Sequence, residues 1–363
     1  QETNVAGGLV AQDAKGPTGL LIDGAMELVK RMMPAPTEAE IERRLLHAQT
    51  ILLRHGITAF TDALLTNIEY ERLCRLAEEG KWHIRIFGYL PADEQHLSQW
   101  LHKQPSQEGK IRICGFKAFA DGALGSRGAW LLAPYEDAAT TGLDLLSSSG
   151  FDDLVKRLAA TPWQLMVHAI GDAANEYVLE TFFQHRHLIQ PEARWRLEHA
   201  QMLTPKSWEL LRQLPVIPSI QPTHATSDKE WVTDRIGKDR LQYAYPLGSL
   251  VRAGFPVPLG TDVPVESPSP LDTLFSAVTR RSRQLPKFSP ILLSEQMPPE
   301  EAMMGMTLWP AYAVKAEKYL GSLSDTIFAD FFAIDHNLLT VSEEGMCEAQ
   351  VLMTVIDGKI IFS

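Results

Sequence analysis

The chain has 363 residues, of which 45% are hydrophobic and 22% are charged, a composition typical of a globular protein of one large or two ordinary domains. The formal net charge of −11 argues against nucleic acid or an anionic membrane as a partner, and no apolar run approaches the roughly 20 residues of a membrane span. The three cysteines lie far apart without a CxxC motif, so a reducing, cytoplasmic location is expected.

Apolar, strand-like runs alternate with amphipathic helical patterns along most of the chain. The predicted helices are Glu38–His55, Asn67–Gly80, Phe151–Ala160 and Ala173–His185. The predicted strands are Ile57–Leu64, Ile84–Leu90, Ile111–Ala120, Gln164–Ile170, Arg194–Ala200, Val216–Gln221 and Val257–Leu259. This alternation indicates βαβ units in a parallel sheet. Seven such strands, with no Gly-rich dinucleotide loop after the first, favour a (β/α)8 TIM barrel over a doubly wound sheet.

The end of the chain has a different pattern. Phe328–Ile334 and Val351–Phe362 are predicted strands, and Asp357-Gly358 has the composition of a hairpin turn. We therefore expect a barrel over residues 1–320 and a small β-sandwich appendage over residues 321–363.

Four ionisable residues end predicted strands. Lys117, His168, His199 and Asp262 each follow an otherwise apolar run. Reactive side chains of a parallel barrel collect at the carboxyl ends of its strands, so we expect the four to share one mouth. Two imidazoles and a carboxylate suit Zn²⁺, which lowers the pKa of a bound water to near neutrality. Taken singly, each residue has a structural alternative: a hydrogen-bonded histidine, an ion pair of Lys117 with Asp121, or a turn at Asp262.

Longer segments around these residues carry a family resemblance. They are Gly115–Trp130 (GFKAFADGALGSRGAW), Val167–Glu180 (VHAIGDAANEYVLE), Arg196–Leu203 (RLEHAQML) and Pro258–Leu271 (PLGTDVPVESPSPL). Together they resemble the amidohydrolase superfamily in its YtcJ-like branch, amidohydrolase family 3, which is related to N-substituted formamide deformylases. The resemblance covers essentially the whole chain.

The resemblance implies a hydrolase for a carbon–nitrogen bond of amide type other than a peptide bond, with Zn²⁺ or another divalent transition metal, one or two ions per chain, as cofactor. It implies that His168 and His199 bind metal after the fifth and sixth barrel strands. It also implies that Asp262, after the eighth strand, binds metal and is the catalytic proton shuttle. Lys117 falls where the fourth strand offers a bridging ligand, a carboxylated lysine. Hydroxide held by the metal would then attack a carbonyl carbon of a small-molecule substrate.

Other polar residues are predicted around the same mouth. Asp121, Arg127, Tyr135 and Gln221 are candidates for substrate binding, with a surface or structural role as the alternative for each. Asp172 and Glu198 adjoin metal-ligand candidates, and a carboxylate there can orient an imidazole. By strand alternation, however, Glu198 is expected to point away from its neighbour His199. The mouth also contains His224, without a feature that selects a substrate.

One element of the family pattern is missing from these residues. The superfamily has a His-x-His pair at the end of the first barrel strand, whereas the His-x-His here, His185 to His187, lies in a connecting segment and is interpreted as a solvated surface pair. His47 and His55 lie on a predicted helix. We therefore expect the first strand and its His-x-His to precede Gln1.

Two hypotheses follow from the missing pair. Either upstream residues complete an active hydrolase, or the protein is a catalytically incomplete homologue with a binding or regulatory role, for example in the regulation of secreted-enzyme production. The substrate is not specified by the sequence, and a homodimer is left open.

Overall fold

The computed structural model of the chain describes residues 2–5, 8–105, 109–146, 148–287 and 289–363. An antiparallel sheet comes first, with strands β1 (Glu2–Val5), β2 (Gly8–Asp13) and β3 (Gly16–Asp23). A short helix, α1 (Glu27–Lys30), follows it. This sheet was not predicted, because glycines and polar residues interrupt the apolar alternation in these strands. No helix in the described ranges is long and apolar enough to cross a membrane.

The central element is a parallel sheet of six strands that lie in chain order. Its strands are β4 (Ala59–Asp62), β5 (Arg85–Pro91), β6 (Ile111–Phe119), β7 (Gln164–Ala169), β8 (Trp195–His199) and β9 (Val216–Ser219). The seventh predicted strand is reduced to one parallel bridge between Leu259 and Ile220. The sheet curls as half of a barrel, so the predicted α/β barrel-type class is confirmed.

Helices precede, separate and follow the parallel strands, and those between the strands cover the outer face of the sheet. They are α2 (Glu38–Arg54), α3 (Asn67–Glu78), α4 (Glu94–Trp100), α5 (Ser148–Ala159), α6 (Asp172–Gln184), α7 (Pro205–Leu211), α8 (Pro222–Asp228), α9 (Val232–Leu241), α10 (Leu247–Arg252), α11 (Pro270–Thr279), α12 (Pro299–Met306) and α13 (Leu308–Ala313). Helices α2 and α3 have capping boxes, in which the N-cap residues Thr37 and Thr66 pair with Glu40 and Glu69. Each box satisfies otherwise unpaired backbone donors and fixes where its helix begins.

Side chains of the parallel strands alternate between two apolar clusters. Phe116 on β6 packs edge-on against Trp163, with ring centroids 5.7 Å apart, in the cluster that faces the helices. Tyr89 and Met166 belong to a different cluster, which includes apolar residues between 311 and 320. Gln164, at the start of β7, donates a hydrogen bond of 2.8 Å to the carbonyl of Ala313. Residues 311–320 therefore close the amino end of the half-barrel and leave its carboxyl end for a functional site.

The chain ends in a second antiparallel sheet. It consists of β10 (Phe331–Ile334), β11 (Val351–Ile356) and β12 (Lys359–Phe362), with helix α14 (Glu343–Glu348) before β11. Asp357 and Gly358 both have positive φ, of 51° and 73°, which is the conformation of a type I′ hairpin turn. The predicted hairpin is therefore present in a small antiparallel sheet, and the domain boundary at residue 320 stays a prediction.

A buried charge cluster ties this C-terminal sheet to the half-barrel. Arg85, at the start of β5, donates from Nε to Asp330 at 2.6 Å, and its Nη2 also pairs with Asp357. The side chains of Arg85 and Asp330 are only 7% and 2% exposed. Asp330 also accepts a hydrogen bond of 2.8 Å from the backbone N–H of Asp357. Such a cluster fixes one geometry, because each buried charge depends on its partner.

We predict that Asp330→Ala lowers the free energy of unfolding by about 3 kcal/mol, because it leaves the buried Arg85 guanidinium without its main partner. The measurement is a urea unfolding curve. The control is Glu27→Ala, which breaks the exposed pair with Lys30 and is expected to cost less than about 1 kcal/mol. An equal cost for the two variants would contradict this account of the cluster.

Candidate metal centre

Three of the four sequence-predicted ligands lie at the carboxyl ends of adjacent parallel strands. Lys117 is close to the end of β6, His168 to the end of β7, and His199 is the last residue of β8. Asp262 lies three residues beyond Leu259, the residue that pairs with Ile220 next to β9. The sheet therefore places all four on the same edge.

The imidazoles form a compact group at this edge. The rings of His168 and His199 are 4.5 Å apart between centroids, and those of His199 and His224 are stacked at 5.7 Å. His199, His224 and Asp262 each present one ligand-type atom, and these three atoms lie within 4.8 Å of one another. His224 Nε2 and Asp262 Oδ2 are 3.6 Å apart.

His224 is the residue of this group that the sequence analysis did not assign as a ligand. It lies in the first turn of α8, which follows β9 after a short connection. The predicted ligands were chosen at strand ends, and His224 was assigned only to a loop of the mouth. The sequence feature that could have indicated His224 as a ligand is its position only three residues after the predicted strand Val216–Gln221.

The backbone bends sharply where these side chains leave the sheet. His199, Ala200 and Asp262 have positive φ values of 71°, 41° and 55°. The left-handed region costs a non-glycine residue on the order of 1–3 kcal/mol, and such residues cluster at functional sites. At His199 the bend also interrupts the alternation of side-chain directions along β8. The side chains of Glu198 and His199 therefore do not point to opposite sides of the strand, as the strand pattern predicts.

A hydrogen-bond relay sets the tautomer of His199. Gln221 donates from Nε2 to Glu198 Oε1 at 3.4 Å, and its Oε1 lies 2.7 Å from His199 Nδ1. Because the carboxylate can only accept, the amide group of Gln221 turns its oxygen toward His199. His199 Nδ1 then carries the proton and donates it to that oxygen. The lone pair of His199 is consequently on Nε2, the atom left to bind a ligand.

Lys117 is buried beside this group but is not hydrogen-bonded to it. Its ammonium lies 4.9 Å from the centroid of the Phe119 ring, and the described residues offer it no hydrogen-bond acceptor. Burial lowers the pKa of Lys117 to about 8, while the carboxylates of Glu198 and Asp262 act in the opposite direction.

The side chain of Asp121 links the loop after β6 to the end of β7 through hydrogen bonds. Its buried carboxylate accepts hydrogen bonds from the backbone N–H groups of Trp130, Ile170 and Gly171, at 2.7–3.0 Å. His168 Nε2 approaches the same carboxylate at 3.2 Å, although not with the alignment of a hydrogen bond. These contacts hold a mouth loop and the neighbourhood of His168 in place.

The other predicted polar residues point elsewhere. Arg127 makes a bidentate ion pair with Asp137 on the surface, with N–O distances of 2.8–2.9 Å. The buried hydroxyl of Tyr135 donates to the carbonyl of Ala129 at 2.8 Å. Asp172 accepts from the backbone of Leu132 at 2.9 Å instead of orienting an imidazole. These contacts account for the three side chains within the fold, and a role of Arg127 and Tyr135 in substrate binding stays a prediction.

The remaining histidines of interest are outside the centre. His185 pairs with Asp152 on α5 through Nε2, at 2.5 Å, and His187 is exposed. His47 and His55 belong to α2 and its end. The candidate centre in the described part of the chain therefore comprises Lys117, His168, His199, His224 and Asp262, with Gln221 and Glu198 behind His199.

Comparison with known proteins identifies the family. Residues 1–362 match the model of the amidohydrolase family. The chain belongs to this family. It is 29% identical, over 98% of its length, to the protein designated amidohydrolase YtcJ from Bacillus subtilis, of which it covers 68%. It is 25% identical, over 97% of its length, to the N-substituted formamide deformylase of Arthrobacter pascens, of which it covers 67%.

The fold of this amidohydrolase family member also has solved counterparts. A metal-dependent hydrolase from Pyrococcus furiosus superimposes with a TM-score of 0.76 at 26% identity, covering 91% of the present chain and 67% of that structure. The predicted family and fold class are thus confirmed. The chain spans about two thirds of the length of these relatives.

Burial keeps the imidazoles of His199 and His224 neutral. It lowers the pKa of His224 to about 4, with a smaller contribution from His168. Burial also lowers the pKa of His199 well below its usual value, and His168 and Lys117 add to the shift. The carboxyl of Asp262 is raised in pKa, first by burial and then by the charge of Glu198. Near neutral pH the two buried imidazoles therefore present lone pairs and no charge.

The lowered pKa of His224 predicts a pH dependence of stability for chelator-treated protein. The neutral ring stabilises the fold fully above pH 6.5, and this contribution is lost as the pH falls toward 4, because the unfolded chain binds a proton that the folded chain does not. Between pH 7 and pH 5 the loss is about 2 kcal/mol.

The measurement is the free energy of unfolding of the original protein and of His224→Asn at both pH values. We expect the variant to lose about 2 kcal/mol less than the original. His187→Asn, which changes an exposed ring, serves as the control and should follow the original protein. Identical pH dependence in all three proteins would contradict a buried neutral His224.

Proposed function

We propose that this amidohydrolase family member is a metal-dependent hydrolase that cleaves an amide-type carbon–nitrogen bond, other than a peptide bond, in a small molecule. The observation that carries the proposal is the convergence of His199, His224 and Asp262, whose ligand atoms lie within 4.8 Å of one another. Their chemistry, two neutral imidazoles and a carboxylate, is that of catalytic zinc sites, which keep a further position for water or substrate.

The unsatisfied atoms of the centre fit a bound cation. Nε2 of His224 is buried and has no hydrogen-bond partner among the described residues, and Nε2 of His168, which lies 3.2 Å from the Asp121 carboxylate, makes no aligned hydrogen bond there. The relay through Gln221 leaves the lone pair of His199 on Nε2. Buried polar atoms normally have hydrogen-bond partners. Several buried nitrogen atoms without such partners at one edge of the sheet therefore indicate a missing ligand. Zn²⁺ or another divalent transition metal matches these donors.

Two further residues are placed to extend the centre. Lys117 and His168 stand beside His199, and Lys117 has an amine with no hydrogen-bond acceptor among the described residues. A carboxylated Lys117 would supply two more oxygen ligands next to His168, which is the arrangement needed for a second ion. We therefore include both residues in the proposed metal set of one or two ions per chain.

Individual side chains of the centre have separate roles in the proposed reaction. A divalent cation held by His199, His224 and Asp262 would lower the pKa of water and polarise a carbonyl group. Asp262 accepts the proton of the attacking water and donates it to the leaving nitrogen. Its side chain is 40% exposed, so a substrate in the mouth can reach it, and its raised pKa brings it closer to the pH at which a shuttle both accepts and donates. Gln221 holds the ring of His199 through Nδ1.

The relatives support the type of bond. One is a deformylase of N-substituted formamides, and another is designated an amidohydrolase. Both names describe attack on a carbonyl carbon with departure of nitrogen, and such a reaction needs the acid that Asp262 would supply to the leaving group.

We predict that Asp262→Asn lowers turnover of N-substituted formamides and N-acyl amino acids about a thousandfold or more while the circular dichroism spectrum is unchanged, because the amide can neither take nor give the proton. The measurement is amine release by the full-length, metal-loaded protein, with metal content determined on the same sample. Asp152→Asn, at the surface partner of His185, is the control. Retained activity in Asp262→Asn would contradict the role of this residue.

We predict that His224→Ala weakens Zn²⁺ binding at least about tenfold, because it removes one of the three converging ligands. The measurement is competition with a chromophoric chelator, together with metal analysis of the purified protein. His187→Ala is the matched control, since its ring is exposed. Original protein that contains no transition metal would overturn the enzyme proposal in favour of a binding protein, and unchanged affinity in His224→Ala would remove this residue from the site.

A further inference from the structure

An exposed aromatic ring lies beside the candidate metal centre at the open end of the half-barrel. Phe119 is the last residue of β6 and is 40% exposed, whereas the other eight residues of that strand are buried. Residues two apart in a strand point to the same side of the sheet. Phe119 therefore shares the side of Lys117 and lies one step closer to the carboxyl edge, where substrates of a parallel barrel bind.

Two contacts attach this ring to the centre. Its centroid lies 5.5 Å from that of the His168 imidazole, with the ring planes at 43°, and 4.9 Å from Nζ of Lys117. In the sheet, Phe119 is aligned with His168 on the neighbouring strand β7. One part of the ring thus packs against two ligand candidates while the rest is open to solvent. A molecule bound at these ligands is within reach of the open part.

Further apolar side chains are exposed at the same edge. Leu145 is exposed, and its backbone N–H donates at 3.0 Å to the carbonyl of Ala120, the residue after Phe119. Val263 is also exposed and directly follows Asp262. Apolar surface next to a small set of polar groups is typical of small-molecule sites, in which the polar groups fix the orientation and the apolar side chains cover the rest of the ligand.

The polar side chains that follow Phe119 in the chain are engaged within the fold. The carboxylate of Asp121 is buried and accepts hydrogen bonds from three backbone N–H groups. Arg127, farther along the same loop, is paired with Asp137. A polar substituent against the Phe119 ring would lose water without gaining a partner from these groups. An apolar substituent removes its own apolar surface and that of the ring from water together.

We propose that Phe119 is a specificity residue, and that the preferred substrates are amide-type compounds with an apolar group, best an aromatic ring, that packs on its exposed part. This inference rests on the proposed function, since it adds a substrate class to the same centre. Aromatic rings attract each other in offset or edge-to-face arrangements beyond the effect of buried area alone. Phe119 contacts the substrate and takes no part in proton transfer or metal binding.

The first experiment measures binding without catalysis. Benzylacetone, a ketone with a phenyl ring and no amide bond, and acetone, which lacks the ring, are titrated into chelator-treated full-length protein, and binding is followed in the NMR spectrum of the ligand. We expect benzylacetone to bind at least about tenfold more tightly than acetone, and Phe119→Ala to remove most of this difference. The matched control is Leu323→Ala. Leu323 is 72% exposed and follows residues 311–320 at the amino end, so this variant should bind benzylacetone as the original protein does.

The second experiment measures selectivity in turnover. Metal-loaded full-length protein is assayed with the phenylacetyl and acetyl derivatives of one amine, and with the phenylethyl and ethyl amides of acetic acid. The phenyl ring is thus placed on the acyl side in one pair and on the nitrogen side in the other. We expect a kcat/KM at least about tenfold higher for the phenyl member of one pair, and a ratio near unity in Phe119→Ala. Phe119→Leu, which keeps an apolar contact without the ring, should give an intermediate ratio.

A purely structural role of Phe119 predicts a different result. If the ring only supported Lys117 and His168, Phe119→Ala would lower kcat/KM equally for both members of each pair, and an unchanged ratio would overturn the proposal. If Phe119→Ala does not fold, Phe119→Leu and Leu145→Ser provide the test, and both must weaken benzylacetone binding.

The two experiments also separate this proposal from the proposed function. Turnover of amides with no preference for the phenyl compounds, and with equal benzylacetone affinity in the original protein and Phe119→Ala, would overturn the role of Phe119 and leave the hydrolase standing. Benzylacetone binding that depends on Phe119, without turnover of any amide, would overturn the hydrolase and leave the apolar site standing.

Discussion

The parallel direction of six adjacent strands is the constraint on which the rest of the molecule depends. Since β4–β9 all run the same way, their carboxyl ends form one edge, and residues more than a hundred positions apart in the chain meet there. Lys117 and Asp262 are brought together in this way, close enough for the carboxylate to affect the pKa of the amine. The amino end is closed by residues 311–320, so the polar side chains collect at the end that remains open.

The centre also requires that its imidazole nitrogen atoms are neutral and that protein contacts, rather than solvent, orient them. Burial keeps His199 and His224 uncharged, and the relay from Glu198 through Gln221 fixes which nitrogen of His199 carries the proton. The cost is visible in the backbone, where His199 and Asp262 occupy left-handed conformations. Such strain persists only where surrounding contacts hold it, and here the hydrogen bonds of Gln221 and the packing of β8 supply them.

The sequence predicted the fold class, the family and the strand-end positions of Lys117, His168, His199 and Asp262, because apolar periodicity and strand ends are local properties. It did not predict properties that depend on backbone angles or on the next element. Glu198 was expected to face away from His199, but a positive φ at His199 breaks the alternation on which that expectation depended. His224 was missed because it lies on a helix rather than at the end of a strand.

The polar residues of the mouth show a related limit. Asp121 and Tyr135 lie where a substrate could be contacted, yet their hydrogen bonds are used within the fold. Sequence position does not reveal whether a polar atom is already satisfied. The imidazoles of the centre differ in this respect, since Nε2 of His168 and Nε2 of His224 are buried without a hydrogen-bond partner among the described residues, and this leaves them available to a ligand.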